Sequence, residues 1–593
     1  MTPGHWPQCS DLIGQTAKPA PTAARAGGEF FAAPVEANHR RYEALRAYLY
    51  EGRPAAQVAA RFGYTEASLA SLARDFRAGR REFFATARPG PTHAPAKDAA
   101  RARIVALRQQ GHSAYEIAAM LAAEGTPLNR TGVAEVLAEE GFPRLWPRPH
   151  HQRGLPRREP AGRTRVLEFR RWPARAETRI GGLLLAMPDL VALDLPALVA
   201  AAGYPATQVI PATGYLLSLL ALKLIGLRRV SHVDDIAADP AAALFAGLTS
   251  LPKATALTTY SYRLAHRKQV AFLAALDRAS LAAGLAHGDE LNLDFHAVMH
   301  WGEDAALEKH YVPRRSQRTR SVLTFFAEDA TTHTLLYANA DLTKATQAGE
   351  IIAFCDHGRH VTGRDPALLI FDSKLTTQPQ LSTLDSRGIR WLTLRARNPK
   401  LTAALHALPP TAWTRLTLDR AGATSRPVHV IEDPTARLSS YPGTVRQLAI
   451  TGLGHDDPTI LITNDRTRTP KTLIERYAKR MNIEQRLAEA IRAFHLDALS
   501  SAVPLNVDLD IVLSVLAHTI CAALRRRLPG YTTATPDTLQ HRFLSTSGLI
   551  LHHDNKITVR LNRRTYSPVL RQADLPDTPI PWWGGRTLHF EYE

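Results

Sequence analysis

Two short apolar runs each carry an aspartate, and a later helical stretch carries a glutamate. The runs are Leu291-Asn-Leu-Asp294-Phe and Leu368-Leu-Ile-Phe371-Asp372; the helical stretch is Tyr477-Ala-Lys-Arg480-Met-Asn-Ile-Glu484. Tyr477, Arg480 and Glu484 stand at i, i+3 and i+7, which puts them on one face of a helix. Carboxylates are hard oxygen donors of the kind Mg²⁺ prefers. Three of them drawn together repel one another until cations relieve the repulsion. Two such ions, roughly 3.5–4 Å apart, stabilise the attacking and leaving oxygens when a phosphodiester is cut or transferred. A guanidinium and a phenol on the same face suit a phosphate backbone. One aspartate at the end of a strand is ordinarily a surface or capping residue; the joint pattern points to chemistry.

A fold must gather acids that lie 190 positions apart (484 − 294). From about residue 289 the pattern is α/β, with strands expected over Leu291–Val298, Ser321–Ala327 and Thr334–Ala340. A helix over Thr346–Cys355 follows, then strands over Ala367–Phe371 and Gly388–Leu394. The loop between the first two strands ends in Pro313-Arg314-Arg315-Ser-Gln-Arg318-Thr-Arg320, a basic tract. Residues 412–464 hold three short β-like runs: Val428–Ile431, Arg446–Thr451 and Thr459–Thr463. One long helix carries Glu484, and an apolar helix covers Leu509–Leu528. Residues 547–570 read as a hairpin with Asp554-Asn555 in its turn. Trp582-Trp583 near the end are expected to pack rather than to stack on bases. His150-His151 and His552-His553-Asp554 lack the partner set that a metal site needs and read as surface or turn residues.

Ahead of this region lie two short helical units. The first has helices over Arg41–Glu51 and Pro54–Arg61, a turn at Phe62-Gly63-Tyr64, and a third helix capped by Thr65 and running to about Ala78. The second repeats the plan with Arg101–Gln110, a capping box at Ser113-Ala-Tyr-Glu116, and a last helix over Thr131–Glu140. Both outline a helix-turn-helix. The expected domain sequence is a disordered tail (1–38), tandem helix-turn-helix units (39–143), a basic linker (144–185), a helical module (186–285), an α/β domain (286–530) with a β-rich insertion at about 398–468, and a C-terminal β/tail region (531–593). The fold class is therefore multidomain α/β.

Lys and Arg number 73 against 55 acids, a formal charge of +18, which calls for a polyanionic partner, with nucleic acid first. Residues 144–179 alone carry eleven Arg against three Glu, a local excess of 11 − 3 = +8. Each such Arg can neutralise one phosphate. Three scattered cysteines, Cys9, Cys355 and Cys521, form no disulfide or metal pattern, in keeping with a reducing cytosol. The N-terminal residues lack the pattern of a signal peptide. The apolar run Val209–Leu227 is interrupted by Pro211 and Lys223 and reads as a buried helix rather than a membrane span.

Taken with Thr463-Asn464-Asp465, the two aspartate runs and Tyr477-x-x-Arg480-x-x-x-Glu484 resemble bacterial insertion-sequence transposases of the IS4-like, DDE type, over roughly residues 285–530. The resemblance implies an RNase H-like fold. Asp294, Asp372 and Glu484 would be its catalytic, metal-binding triad, holding two Mg²⁺ ions with Mn²⁺ as a substitute. Tyr477 and Arg480 match the start of a Tyr-(2)-Arg-(3)-Glu-(6)-Lys signature whose basic members contact DNA. The signature Lys is missing: position 491 is Ile, and Arg492 or His495 is the candidate replacement. Arg314, Arg315, Arg318 and Arg320 are further expected DNA contacts.

The function implied is cut-and-paste transposition. Strand hydrolysis at terminal inverted repeats leaves a 3′-OH, which then attacks target DNA. The partners implied are double-stranded transposon-end and target DNA and a second copy of the chain in a paired-end dimer, with no membrane and no small-molecule cofactor, in a bacterial cytoplasm. Two alternatives remain open: a catalytically silent, transposase-derived DNA-binding regulator, and a Mg²⁺-dependent nuclease without strand transfer.

Overall fold

The computed structural model describes residues 29–80, 83, 95–142, 164–300, 307–312, 317–419, 425–498 and 503–592. The chain forms two compact units, Met1–Arg157 and Arg158–Glu593.

The first unit holds two three-helix groups. Helices α1 (Ala37–Leu45), α2 (Ala55–Phe62) and α3 (Glu66–Arg77) bury Ala44, Val58, Phe62 and Leu69 among themselves. Gly63 closes α2 at φ 70, a left-handed position that favours glycine, and the Thr65 hydroxyl accepts from the Ser68 N–H to start α3. Helices α4 (Pro95–Gln109), α5 (Ala114–Ala123) and α6 (Arg130–Glu139) pack around Ile104, Leu107, Ile117 and Val136. The capping box at α5 is complete, with Ser113 N–H donating to Glu116 Oε2 at 2.6 Å and Glu116 N–H to Ser113 Oγ at 3.3 Å.

The second unit begins with a segment whose sequence reads as the end of a linker. Val166 bridges Leu248, and β1 (Arg175–Thr178) pairs antiparallel with β12 (Gly548–His553), so this stretch is folded from residue 164 onward. Helices between Met187 and Ala282 follow, among them α7 (Ala212–Leu224) and α8 (His266–Ala282). Their apolar side chains share one hydrophobic cluster with the sheet that comes next, so this helical stretch has no core of its own.

That sheet has ten strands: β2 (Glu290–Met299), β3 (Lys309–Val312), β4 (Gln317–Asp329), β5 (Leu335–Leu342), β6 (Leu368–Phe371), β7 (Arg390–Leu394), β8 (Thr414–Leu418), β9 (Arg426–Ala436), β10 (Val445–Thr451) and β11 (Thr459–Thr463). Their order is β3-β4-β2-β6-β7-β11-β10-β9-β8, with β5 also on β4, and helix α9 (Glu350–Thr362) connects β5 to β6. Central strands β2, β6 and β7 run parallel to one another, while β4 runs antiparallel to β2. The β-rich region after β7 is an extension of the same sheet, joined where β11 pairs antiparallel with β7.

Strand β6 is buried on both faces, as parallel central strands are. Leu369 and Phe371 face the large cluster, and Leu368 and Ile370 face a second cluster with Leu473 and Ile474. Strands β12, β13 (Lys556–Leu561), β14 (Thr578–Ile580) and β15 (Arg586–Tyr592) form a five-stranded sheet with β1. The β12–β13 turn holds Asp554 at φ 51 beside Asn555. Trp583 is buried and donates to the Leu244 carbonyl at 2.8 Å, a packing role. His553 and Asp554 pair with each other at the exposed turn.

Candidate active site

Strand alternation decides where the two aspartates point. Leu291 and Leu293 on β2 face the large cluster, so Asn292 and Asp294 face the other side. On β6, Leu369 and Phe371 face the large cluster, so Ile370 and the residue after the strand, Asp372, face that other side too. The parallel register pairs Leu293 with Phe371. Asp294 and Asp372 are each one step further on, at matched positions on adjacent strands whose spacing is about 4.8 Å.

Helices cover that face. The sequence predicts one long helix here; the structure has two, α10 (Pro470–Ala478) and α11 (Met481–Phe494). At the joint the backbone tightens to i→i−3 bonds: Arg480 N–H to Tyr477, Asn482 N–H to Lys479 and Ile483 N–H to Arg480, at 3.0 Å each. Arg480 therefore stands at the N-cap position of α11, with Glu484 in its first turn, where a carboxylate is favoured by the helix dipole.

Arg480 lies between the acids. Its Nη1 is 3.8 Å from Asp294 Oδ1 and its Nη2 is 3.2 Å from Glu484 Oε1. Its guanidinium carbon sits 5.7 Å from the Tyr477 ring centre. The Arg480 side chain is only 7 % exposed, yet Nε and Nη1 have no hydrogen-bond partner, nor has the Tyr477 hydroxyl. Asp294 is held by the Phe295 N–H at 3.0 Å, and Asp372 accepts from the Ser373 hydroxyl at 3.1 Å.

Burial pushes the Asp294 carboxyl up to about 6, and the charges of Glu484 and Asp372 add to the rise against the pull of Arg480. Burial likewise pushes the Tyr477 phenol up to about 12. Burial works against the Arg480 charge, but Tyr477 and the three acids outweigh it and hold the guanidinium more firmly protonated. Asp294, Asp372, Glu484, Tyr477 and Arg480 thus share one electrostatic environment. The three acids are not sealed from solvent: Asp372 is half-buried, and the Asp294 and Glu484 side chains are 21 % and 45 % exposed.

Among the described residues no three acids, histidines or cysteines are drawn close enough to hold a metal ion as they stand. The donor set nonetheless fits a divalent cation in kind. All three are hard carboxylates, and the charges of Glu484 and Asp372 reach Asp294, which is held toward its protonated form by burial and by those neighbours.

The remaining expected contacts divide. Ile491, at the position of the signature Lys, packs on the core, whereas Arg492 is exposed. His495 takes a left-handed conformation at φ 53, and its Nε2 lies 3.0 Å from the Gly226 carbonyl, so it is engaged away from the acids. Arg318 is exposed and Arg320 half-buried on β4, while Arg314 and Arg315 lie outside the described residues, as do His150 and His151. Asn464 and Asp465 are structural. Asn464 bonds the Trp391 N–H and the Ile389 carbonyl, and the buried Asp465 caps Thr467 and Arg468.

Sequence reasoning missed two supporting groups. Glu290, at the start of β2, accepts from Arg476 Nε at 2.9 Å and also pairs with Arg468, tying the α10 side to the Asp294 strand. The fully buried Glu328 on β4 accepts from Asn292 Nδ2 at 2.8 Å and lies 3.2 Å from His333 Nδ1. An acid opening an apolar strand is a weak signal for the first group, and nothing local marks the second.

Residues 325–573 match a family model described as transposase DDE domain group 1. The match supports a transposase of DDE type; it spans Asp372, Tyr477, Arg480 and Glu484 and begins after Asp294. No curated protein matches the chain.

Proposed function

We propose that this chain is a DNA transposase of the IS4-like kind that hydrolyses a strand at its element's ends and joins the freed 3′-OH to target DNA. The observation that carries this reading is the site itself: two aspartates at matched positions on adjacent parallel strands, beneath a glutamate and a buried, under-satisfied arginine. The strand order β5-β4-β2-β6-β7, with β4 alone of its neighbours antiparallel to β2, supports an RNase H-like core. The two three-helix groups, each with a capped last helix, support tandem helix-turn-helix binding of inverted repeats. A dimer pairing two ends, with DNA as its partner, belongs to the same reading.

Asp294, Asp372 and Glu484 would hold Mg²⁺, or Mn²⁺ in its place. When bound, the ions supply charge stabilisation at the attacking and leaving oxygens. The protein's own groups do the rest. Arg480 carries two guanidinium nitrogens without hydrogen-bond partners, Nε and Nη1, which lie on different edges of the group and donate separately to phosphate oxygens. The Tyr477 hydroxyl adds a third unpartnered donor beside them. Arg492 contacts backbone further along the helix. Asp294 must lose its proton to act as a ligand, so Mg²⁺ affinity falls as pH drops below about 6.

The test is cleavage of linear duplexes carrying the flanks of the gene for this chain, with Mg²⁺ and the full-length protein. The reading expects nicking at one fixed position, a 3′-OH product, and joined products with added target DNA. Asp294→Ala or Glu484→Gln protein that still cuts would refute the site. The placement of Arg480 among the acids favours one alternative, a silent DNA-binding regulator. Specific binding without any cutting would establish it. Cutting without joining would instead identify a nuclease.

A further inference from the structure

Two unfavourable features stand together beside the acids. The first is a carboxylate with no exposure at all. Glu328 on β4 stands directly opposite Asn292 on β2, which precedes Asp294 by two residues and shares its face of the strand. Burying a carboxylate against neutral groups costs more than an apolar pair of the same shape would. The second is His333, which takes a left-handed conformation at φ 58 in the turn between β4 and β5. Such strain lasts only where its surroundings impose it. Here they do. Asp329 accepts the N–H groups of Thr331 and Thr332 on one oxygen, at 3.0 and 2.8 Å, and those of His287 and Gly288 on the other, at 2.8 Å each. The His333 N–H closes the turn on the Asp329 carbonyl at 2.9 Å.

The two features meet in one chain of contacts. Glu328 accepts from Asn292 Nδ2 at 2.8 Å on one oxygen, and its other oxygen lies 3.2 Å from His333 Nδ1. On the far side of the ring, His333 Nε2 lies 3.5 Å from Asn482 Nδ2. Asn482 stands in the first turn of α11, midway between Arg480 and Glu484, where the backbone tightens. A neutral imidazole serves both neighbours in one way: Nδ1–H donates to Glu328, and Nε2 accepts from Asn482. The buried carboxylate thus orients the ring, and the ring marks where the helix must come. A partner one step behind a cation ligand acts on the ion in this manner.

We propose that Glu328, His333 and Asn482 are positioning residues, which set the separation between the strand of Asp294 and the helix of Glu484 for cation binding. None of the three touches the ion or the DNA. The role rests on the reading of Asp294, Asp372 and Glu484 as a cation site. At 3.5 Å the contact between His333 and Asn482 is the weakest link of the chain, and the experiment is aimed at it.

Mn²⁺ is titrated into the full-length, DNA-free protein and bound metal is read by electron paramagnetic resonance, with cleavage of end DNA measured alongside. His333→Asn is the informative variant. Asn tolerates a left-handed φ and can still donate to Glu328, but it is too short to meet Asn482 as well. Asn482→Ala removes the same contact from the helix side. Each is expected to weaken Mn²⁺ binding by about 10–100-fold and to lower kcat for cleavage with KM for DNA unchanged. His333→Asn/Asn482→Ala should lose no more than either single variant, because all three break one contact. Melting temperature and the salt slope of DNA binding should match the parent's. Mn²⁺ binding equal to the parent's in both single variants overturns the proposal, as do losses that multiply in the double variant. A lower melting temperature with unchanged Mn²⁺ binding by the folded protein means a structural role only and overturns it too. A parent that binds no Mn²⁺ overturns both the positioning and the cation site. If the variants lose Mn²⁺ and the parent never cuts DNA, the positioning stands and the transposase reading falls. If the parent cuts and the variants bind Mn²⁺ as it does, the reverse holds.

Discussion

Strand β2 meets the helical side of the unit at two acid–arginine contacts of similar burial and opposite character. At its start, Glu290 is held on one oxygen by Arg476 and on the other by Arg468. Four residues on, Asp294 is 3.8 Å from Arg480 Nη1, and neither that nitrogen nor Nε has a hydrogen-bond partner. Arg476 and Arg480 are 14 % and 7 % exposed, so solvent does not account for the difference. A buried donor left unmade costs free energy, and folds ordinarily satisfy it. The Glu290 contact is a finished joint that fastens helix to strand. The Asp294 contact is unfinished in a way that a phosphate and cations would complete.

This difference can be tested by breaking each side. The largest effect is expected from Asp294→Asn, which should lower the DNA cleavage rate by about a thousandfold or more, as losing one member of a unit that acts together does. Its fold should remain, as read by circular dichroism. Glu290→Gln should do the converse, lowering the unfolding free energy by about 1–3 kcal/mol in denaturant titrations while leaving the cleavage rate of the folded fraction within a few-fold. Comparable rate losses for the two variants would erase the distinction.

Arg480→Ala should weaken both DNA binding and cleavage, by about a hundredfold in kcat/KM, or near 2.7 kcal/mol. Arg476→Ala should chiefly lower the melting temperature.

The same contrast has a pH signature. The Asp294 carboxyl is raised in the folded chain to about 6, above its usual carboxylate value. Its ionisation therefore disfavours the fold, with a penalty that is absent near pH 3, grows between about pH 4 and 6 and is constant above that. Removing the charge with Asp294→Asn should stabilise the metal-free protein at pH 7.5 by about 1–3 kcal/mol and have little effect at pH 4, as read by denaturant titration. The smallest expected effect is from Arg492→Ala, a loss of about 0.9 in the salt slope of DNA binding without a change in the cleavage rate of bound complexes.

The strands that bear the candidate acids were legible in the sequence because they follow local rules. Apolar runs ending in Asp mark β2 and β6, and Thr65, Ser113 and Glu116 cap helices by short-range bonds. The break between α10 and α11 was not legible, because Tyr477 to Glu484 has full helical periodicity and contains neither Pro nor Gly. Tight bonding at Arg480 is the local form the break takes. The helical stretch before β2 read as a separate module because its own periodicity is complete, yet its buried faces are filled by sheet and C-terminal residues hundreds of positions away. Glu290 and Glu328 escaped notice for the same reason: their partners, Arg476 and Asn292, are set by the sheet and not by spacing.

The most direct test of the central claim replaces Mg²⁺ by Fe²⁺ in the full-length protein and maps backbone cleavage by the hydroxyl radicals generated at the bound ion. If Asp294, Asp372 and Glu484 form one cation site, cuts should fall near all three positions together, fade as Mg²⁺ is added, and vanish in Asp294→Ala. Cuts near only one of the three, or a pattern untouched by Mg²⁺ and by that substitution, would contradict it.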